Sequence, residues 1–505
     1  MNRRTIYLAF SLLMACRDGA VDASPTTTGS TGEPDETTET GEPDSEPEAA
    51  VPPPGGMRRL LARQYLGSVE YLLGVEAADA ARSLLPADPT LGGLDAVAAT
   101  ELPVAPSAIE GYEDTAFAVA RAVVDNPAVL SLTVPCITEP DPGTACYRSL
   151  AERFGRLAFR RSLADGEIDA LAQLAREASQ WDDNRFTTGV EYELAAILQA
   201  PSFLYIVETG EVDESTGQRT LRPHELATRM SLFLIGRTPG RFLLDMADAG
   251  QLQTDEEIRD AAWTLLELPE ARETVRQFYD ELFTLRDLAD KGKNATLFPT
   301  WSPELAEAMR QETLLLLEHV IFDVDDDYRD VLAADYTFMD AQLAAIYGVE
   351  PPDGPGHQRV PLPEGLGRVG VLTQPALLAL LSHADRNSPT RRGLFVQQTL
   401  LCAEIGSPPP TVNPELPEPD PDVTLREQLQ EVVADPSCAA CHTLMDPIGF
   451  AFEGFDAVGA EQATDNGLPI DDRAPAELVG GTPRPSLVDK SGTRYTYYPN
   501  TAMVP

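Results

Sequence analysis

The chain has 505 residues, with 38 lysines and arginines against 81 aspartates and glutamates, for a formal charge of −43. That balance excludes a nucleic-acid binder, which needs a basic footprint to displace counterions from phosphate, and it excludes electrostatic attraction to an anionic membrane surface. A hydrophobic share of 43% is enough for packed cores and excludes wholesale disorder.

Arg3 and Arg4 precede an almost unbroken apolar run from Thr5 to Ala15, and Cys16 follows Leu13-Met14-Ala15. A basic start, a short apolar stretch and a small residue before the cut read as a secretory signal over residues 1–16, too short to span a bilayer. A cysteine after Leu-x-Ala resembles the lipobox of bacterial lipoproteins, in which that thiol is lipidated. The alternative is an ordinary signal peptide whose cysteine is incidental. Residues 17–56 then hold ten acidic side chains and one basic one among Ser, Thr, Gly and Pro. Such a segment buries too little apolar surface to offset its ordering entropy and reads as a disordered acidic linker.

A helical texture begins at Met57. Leu60, Leu61, Tyr65, Val69 and Leu72 recur at helical spacing up to Gly74. Cys136 and Cys146 bracket a loop containing Pro, Asp and Gly, and in an oxidising compartment they most simply pair. Periodic stretches follow over roughly 148–180, 186–208, 222–235 and 370–402. Thr254-Asp-Glu-Glu257 is a capping box opening a helix that carries Ile258, Leu265 and Leu266. Ser302-Pro303 is an N-cap with proline at the first helical position, after which Leu305, Met309, Thr313, Leu316, Val320 and Ile321 line one face. Period-two alternation is scarce and no internal repeat is present. The predicted fold class is therefore all-α, with an N-terminal helical region over 57–180 and a main helical region over 181–406.

Between Ser407 and Asp422 seven of sixteen residues are proline, which reads as a stiff connector. It leads to a small segment, 423–471, that holds Cys438-Ala-Ala-Cys441-His442. C-x-x-C-H is the attachment signature of c-type haem. Asp435-Pro436 predicts a helix start, which sets the two thiols on one face for thioether bonds to the haem vinyls. His442 then projects toward the iron as proximal ligand. Pro447 is expected to end the helix, and Phe450, Phe452 and Phe455 to offer an apolar wall for the porphyrin. Two other readings compete: a C-x-x-C disulfide or redox dithiol, and a zinc site built from Cys402, Cys438, Cys441 and His442. The haem reading leaves Cys402 without an assigned role. Met445 shares the short helix with His442 and cannot easily reach the opposite face of the ring, so the distal candidates are His224, His319, His357, His383, Met309 and Met339.

His383 precedes a basic cluster of Arg386, Arg391 and Arg392. Ser388-Pro389 predicts a helix start that places two of these arginines in the first turn, where cations oppose the macrodipole and call for an anionic partner. The expected partner is a haem propionate or a carboxylate of Asp446, Glu453 or Asp456, the alternative being solvated arginines on an acidic protein. The acidic trio has oxygen ligands suited to calcium, but its spacing matches no calcium loop.

Several of these stretches together resemble a known family. They are Arg58–Gly74, Phe154–Arg161, Ala200–Leu204, Ala334–Phe338 with Tyr347-Gly348, Ser382–Gly393, and Cys438-x-x-Cys-His-x-x-Met-Asp-Pro-Ile-Gly-Phe450 running on through Glu453 to Phe455–Gly459. In this order the chain resembles exported multi-domain proteins of planctomycetes and myxobacteria, of the domain-of-unknown-function 1592/1588 type, which end in a cytochrome-c-like segment. The resemblance covers most of 57–471. It implies a helical fold and haem attachment at Cys438, Cys441 and His442, and it implies no substrate. After Asp471 the tail, 472–505, departs from the pattern and reads as irregular.

The leading expectation is an exported protein of the bacterial cell envelope, periplasmic or at the cell surface, lipid-anchored through Cys16. It would carry haem c for electron transfer to a redox or envelope partner, or within an oxidoreductase. A second reading is a non-catalytic, disulfide-stapled binding or scaffold protein, and a third a surface hydrolase. No nucleophile elbow, phosphate loop or H-E-x-x-H occurs, and no catalytic residue is named.

Overall fold

The computed structural model describes residues 56–470, apart from 92, 103–104, 140–141, 213–218, 325–326, 364 and 407–419, together with short strands between 487 and 504. The signal segment with Cys16, the acidic linker and most of the proline-rich connector lie outside the described residues. Among the described residues the architecture is all-α, nineteen α-helices with only small antiparallel sheets. The chain forms two compact units that divide between Thr274 and Val275.

In the first unit the helix Phe186–Gln199 is central. Its apolar positions Val190, Leu194, Ile197 and Leu198 are fully buried, and the helices Pro106–Asp125, Gly143–Phe159 and Asp165–Trp181 pack around it. Tyr65, Val69 and Leu73 of the helix Ala62–Leu73 join the same core. Strand Gly56–Arg59 pairs antiparallel with Tyr205–Glu208, Arg59 opposite Tyr205. Two predicted helical runs are therefore shorter than their periodicity. The 148–180 run breaks at Arg160, which takes a left-handed φ of 60°. There its buried guanidinium donates to the carbonyls of Ser202 at 2.8 Å, Phe203 at 3.1 Å and Tyr205 at 2.8 Å. The 186–208 run stops at Gln199 before Pro201, and its last four residues are strand.

Cys136 and Cys146 form a disulfide, with Cα atoms 5.7 Å apart. Closing so short a loop stabilises by about 2–3 kcal/mol in the chain-entropy model. The capping box at Thr254 is present, with Glu257 Oε2 accepting the Thr254 amide at 3.0 Å.

In the second unit the long helix Pro303–Phe322 is capped by Ser302 Oγ, which accepts the Leu305 amide at 3.2 Å. None of Leu305, Met309, Thr313, Leu316, Val320 and Ile321 is more than 3% exposed, so the predicted face is the buried one. The same face carries Glu312, fully buried, which accepts hydrogen bonds from Thr337 Oγ1 at 2.6 Å and from the Tyr347 hydroxyl. Gln374 Nε2 donates to Thr337 Oγ1 at 3.0 Å and extends this buried polar chain.

The predicted 370–402 run is split. Helix Pro375–Leu380 ends, and helix Pro389–Phe395 starts afresh on the Ser388 cap before running into a single π-helical turn, Val396–Leu400. Both helices begin with proline, whose ring fixes φ and disfavours helical backbone in the residue before it. Further on, Leu425–Val433 opens on a Thr424 capping box, and Leu425 and Leu429 cluster with Phe450. In the tail, strands Leu487–Val488, Arg494–Tyr498 and Thr501–Val504 pair antiparallel.

Candidate functional site: the Cys-x-x-Cys-His helix

The helix Pro436–Gly449 starts where the cap residues predict, with Asp435 Oδ1 accepting the Ser437 amide at 2.8 Å. It does not end at Pro447. The proline lies inside the helix, which continues to Gly449 and passes into a short 3₁₀ turn, Phe450–Phe452. Cys438 and Cys441 are unpaired thiols, each partly exposed. Three residues apart in a helix, they share a face.

His442 sits one residue beyond. Its Nδ1 lies 2.8 Å from Asp446 Oδ2, one helical turn on, and the carboxylate holds the imidazole pKa above its ordinary value against the opposing pull of burial. The Asp446 side chain is almost wholly buried while His442 is about a fifth exposed. The other carboxylate oxygen accepts a hydrogen bond from Thr390 Oγ1 at 2.7 Å, donated from the helix Pro389–Phe395.

Two glycines allow these helices to meet. A Cβ on Gly393 would overlap the Met445 carbonyl, and one on Gly449 would overlap the Pro389 carbonyl. Backbone thus packs directly on backbone, close enough for the short Thr390 side chain to reach Asp446.

Within the arginine cluster, Arg392 is held by main-chain carbonyls and not by the expected carboxylate. Arg392 is 2% exposed and donates to main-chain carbonyls: Phe452, Phe455 at 2.9 Å, Asp456 at 2.7 Å and Leu378 at 3.1 Å. It also meets Ser382 Oγ at 3.0 Å. Burial lowers its pKa to about 9, against the nearby charges of Asp456 and Glu453. Asn387 Nδ2 donates to the carbonyls of Glu453 and Phe455, so the loop after the motif helix is held from both sides. Arg391 makes a long contact, 3.3 Å, to the Ser382 carbonyl. The carboxylate of Asp446 is taken by Thr390 and His442 instead.

The expected aromatic wall is not one surface. Phe450 packs on Leu425 and Leu429, whereas Phe452 and Phe455 pack with Leu378, Val396 and Ile448. Each ring already fills a core. The distal candidates are likewise engaged: His224 with Asp248 at 2.8 Å, His319 with Asp323 at 3.3 Å, and His357 with the Ala308 carbonyl at 2.8 Å. Met309 and Met339 are fully buried, and Met445 is 6% exposed. His383 is half-buried, and burial, Arg391 and Arg386 hold its pKa below the ordinary value. Among the described residues, no three or more His, Cys, Asp or Glu side chains are gathered as for a metal ion, so the zinc set is not brought together. No single described helix is long and apolar enough to cross a membrane.

The residues present nonetheless fit covalent attachment of a haem at this helix. Two free thiols share a face, and the neighbouring imidazole has its Nδ1 committed to a carboxylate, so that Nε2 would be the atom to ligate an iron held there. The His442–Asp446 pair was legible from its i,i+4 spacing. The sequence reading missed it by offering Asp446 to the arginines.

Four protein-family models match the chain in series: PSD3 (DUF1587) over 58–125, PSD5 (DUF1595) over 146–208, PSD4 (DUF1592) over 221–349 and PSCyt3 (DUF1588) over 368–465, each described as a protein of unknown function. Every stretch on which the resemblance rested falls within one of these matches. No curated protein and no solved structure matches the chain. Four segments of the chain thus match domains of unknown function in series, and the Cys438-Ala-Ala-Cys441-His442 helix lies inside the PSCyt3 match.

Proposed function

We propose that this is an exported c-type haem protein of the bacterial envelope, tethered through Cys16, that transfers electrons to a partner or within an oxidoreductase. One observation carries the reading: Cys438, Cys441 and His442 stand in attachment order on one helix, with both thiols free and the imidazole oriented by Asp446. Haem bound there would supply one-electron redox chemistry. Cys438 and Cys441 would hold it covalently, His442 would ligate through Nε2, and Arg392 with Asn387 would keep the following loop in place beneath the helix. The test is to produce the full chain with a cytochrome-maturation system. Expected are a red band on a denaturing gel, a mass increase of one haem on the peptide holding Cys438 and Cys441, and a sharp reduced α-band. Colourless protein of unaltered mass rejects the reading.

A second reading, a non-catalytic envelope scaffold, is favoured by a specific feature. Phe450, Phe452 and Phe455 are packed into cores of the unit itself and do not line an open wall. The same mass measurement separates the two.

A further inference from the structure

Haem attachment by C-x-x-C-H needs only two thiols and a histidine, yet the chain goes further at this helix. An exposed His–Asp pair one turn apart is a common and weak surface contact. This one is built differently. Asp446 is 2% exposed, and both of its oxygens are engaged, one by His442 at 2.8 Å and the other by Thr390 at 2.7 Å. Its ion-pair partner among the described residues is His442, because the neighbouring Arg392 is turned to the carbonyls of Phe452, Phe455 and Asp456. The second hydrogen bond comes from another helix, and Gly393 and Gly449 set the crossing that lets it form. A buried carboxylate held by a second helix cannot swing away from the ring, so it fixes which ring nitrogen carries the proton and which way the ring faces.

We propose that Asp446, locked by Thr390, is the positioning residue of His442: it holds the imidazole as the Nδ1–H form with Nε2 directed to iron and sets the redox potential of the attached haem. The proposal rests on the haem reading above. Outer carboxylates of this kind orient a ligating histidine and raise its basicity. A more basic imidazole stabilises the ferric state, so the potential is lower than it would be with a neutral acceptor. Neither Asp446 nor Thr390 touches the reacting group; both act through His442.

The test uses the full chain, matured with haem, as wild type, Asp446→Asn and Thr390→Val. Asn keeps an acceptor for Nδ1–H but removes the charge, and Val removes the hydroxyl that locks the carboxylate. Expected for Asp446→Asn is covalent haem with a midpoint potential raised by about 59 mV or more, a tenfold change in the one-electron equilibrium constant. Its reduced α-band, read in the same samples, shifts as the imidazole becomes a weaker donor. Thr390→Val moves both readouts in the same direction by less. A merely structural role would change unfolding without moving the potential or the band. Asp446→Asn with covalent haem and both readouts unmoved overturns the proposal and leaves the haem reading intact. If Asp446→Asn does not fold, Thr390→Val decides on the same two readouts. Wild type with no covalent haem overturns the haem reading and this proposal with it.

Discussion

Arg391 and Arg392 are adjacent in sequence and opposite in role. Arg392 is buried with five hydrogen-bonded acceptors around its guanidinium, four of them main-chain carbonyls. Replacing it by Leu strands those carbonyls without donors in a dry interior, and each unsatisfied buried group costs about 1–3 kcal/mol. Arg392→Leu is therefore expected to lower stability by roughly 3 kcal/mol or more, read as the urea midpoint. Arg391→Glu should change it by less than about 1 kcal/mol, since its contact is a single long one.

Two buried glutamates make a pH prediction at the same scale. Burial pushes Glu312 up to about 7, against hydrogen bonds from Thr337 and Tyr347, and pushes Glu193 up to about 9. At Glu193 burial is opposed only by the Ala151 backbone amide. Both groups stay protonated in the folded state where the unfolded chain has already lost its proton. Their contribution is thus fully present below the ordinary glutamate pKa of 4.5 and is lost as pH rises through about 7 and about 9. For Glu312 the loss amounts to roughly 3 kcal/mol. Thermal stability should fall between mildly acidic and alkaline pH, and Glu193→Gln should flatten the alkaline part. An unchanged slope in that variant would contradict the assignment.

At the scale of elements, the crossing of Pro389–Phe395 with Pro436–Gly449 depends on two missing side chains. Gly449→Ala would drive a methyl into the Pro389 carbonyl, and backbone cannot rotate aside as a side chain can. Overpacking of this kind costs typically about 1–3 kcal/mol, so the variant should unfold at lower urea and lose the Thr390–Asp446 contact. The Cys136–Cys146 staple belongs to the other unit. Replacing both cysteines by serine should lower stability by about 2–3 kcal/mol, and a redox-insensitive melting curve in the native protein would count against it. Element starts were legible in the sequence because caps are local. Thr254, Ser302, Ser388 and Asp435 each accept an amide two or three residues ahead. Element ends were less legible. Arg160 breaks its helix to reach carbonyls more than forty residues away, and the proline at 447 is absorbed where a terminus was expected.

For the whole molecule, four serial family matches follow the acidic stretch 17–56 and the apolar amino-terminal run that we propose as a signal. If that signal directs lipidation at Cys16, the protein fractionates with membranes and is released by detergent, and Cys16→Ala moves it to the soluble fraction. A wild-type protein already in the soluble fraction would contradict the anchor.

By itself the sequence determined the all-α class, the helix caps, the disulfide loop and the order Cys438, Cys441, His442, since each depends on residues within about ten positions or on a repeating spacing. Tertiary structure alone decided the partners. Arg392 went to carbonyls of a loop sixty residues on, three phenylalanines parted into two cores, and Asp446 was claimed by Thr390 across a glycine-lined crossing. The reason is that a buried donor binds whichever acceptor the packing brings within about 3 Å, and packing is set by distant apolar faces that no local pattern records.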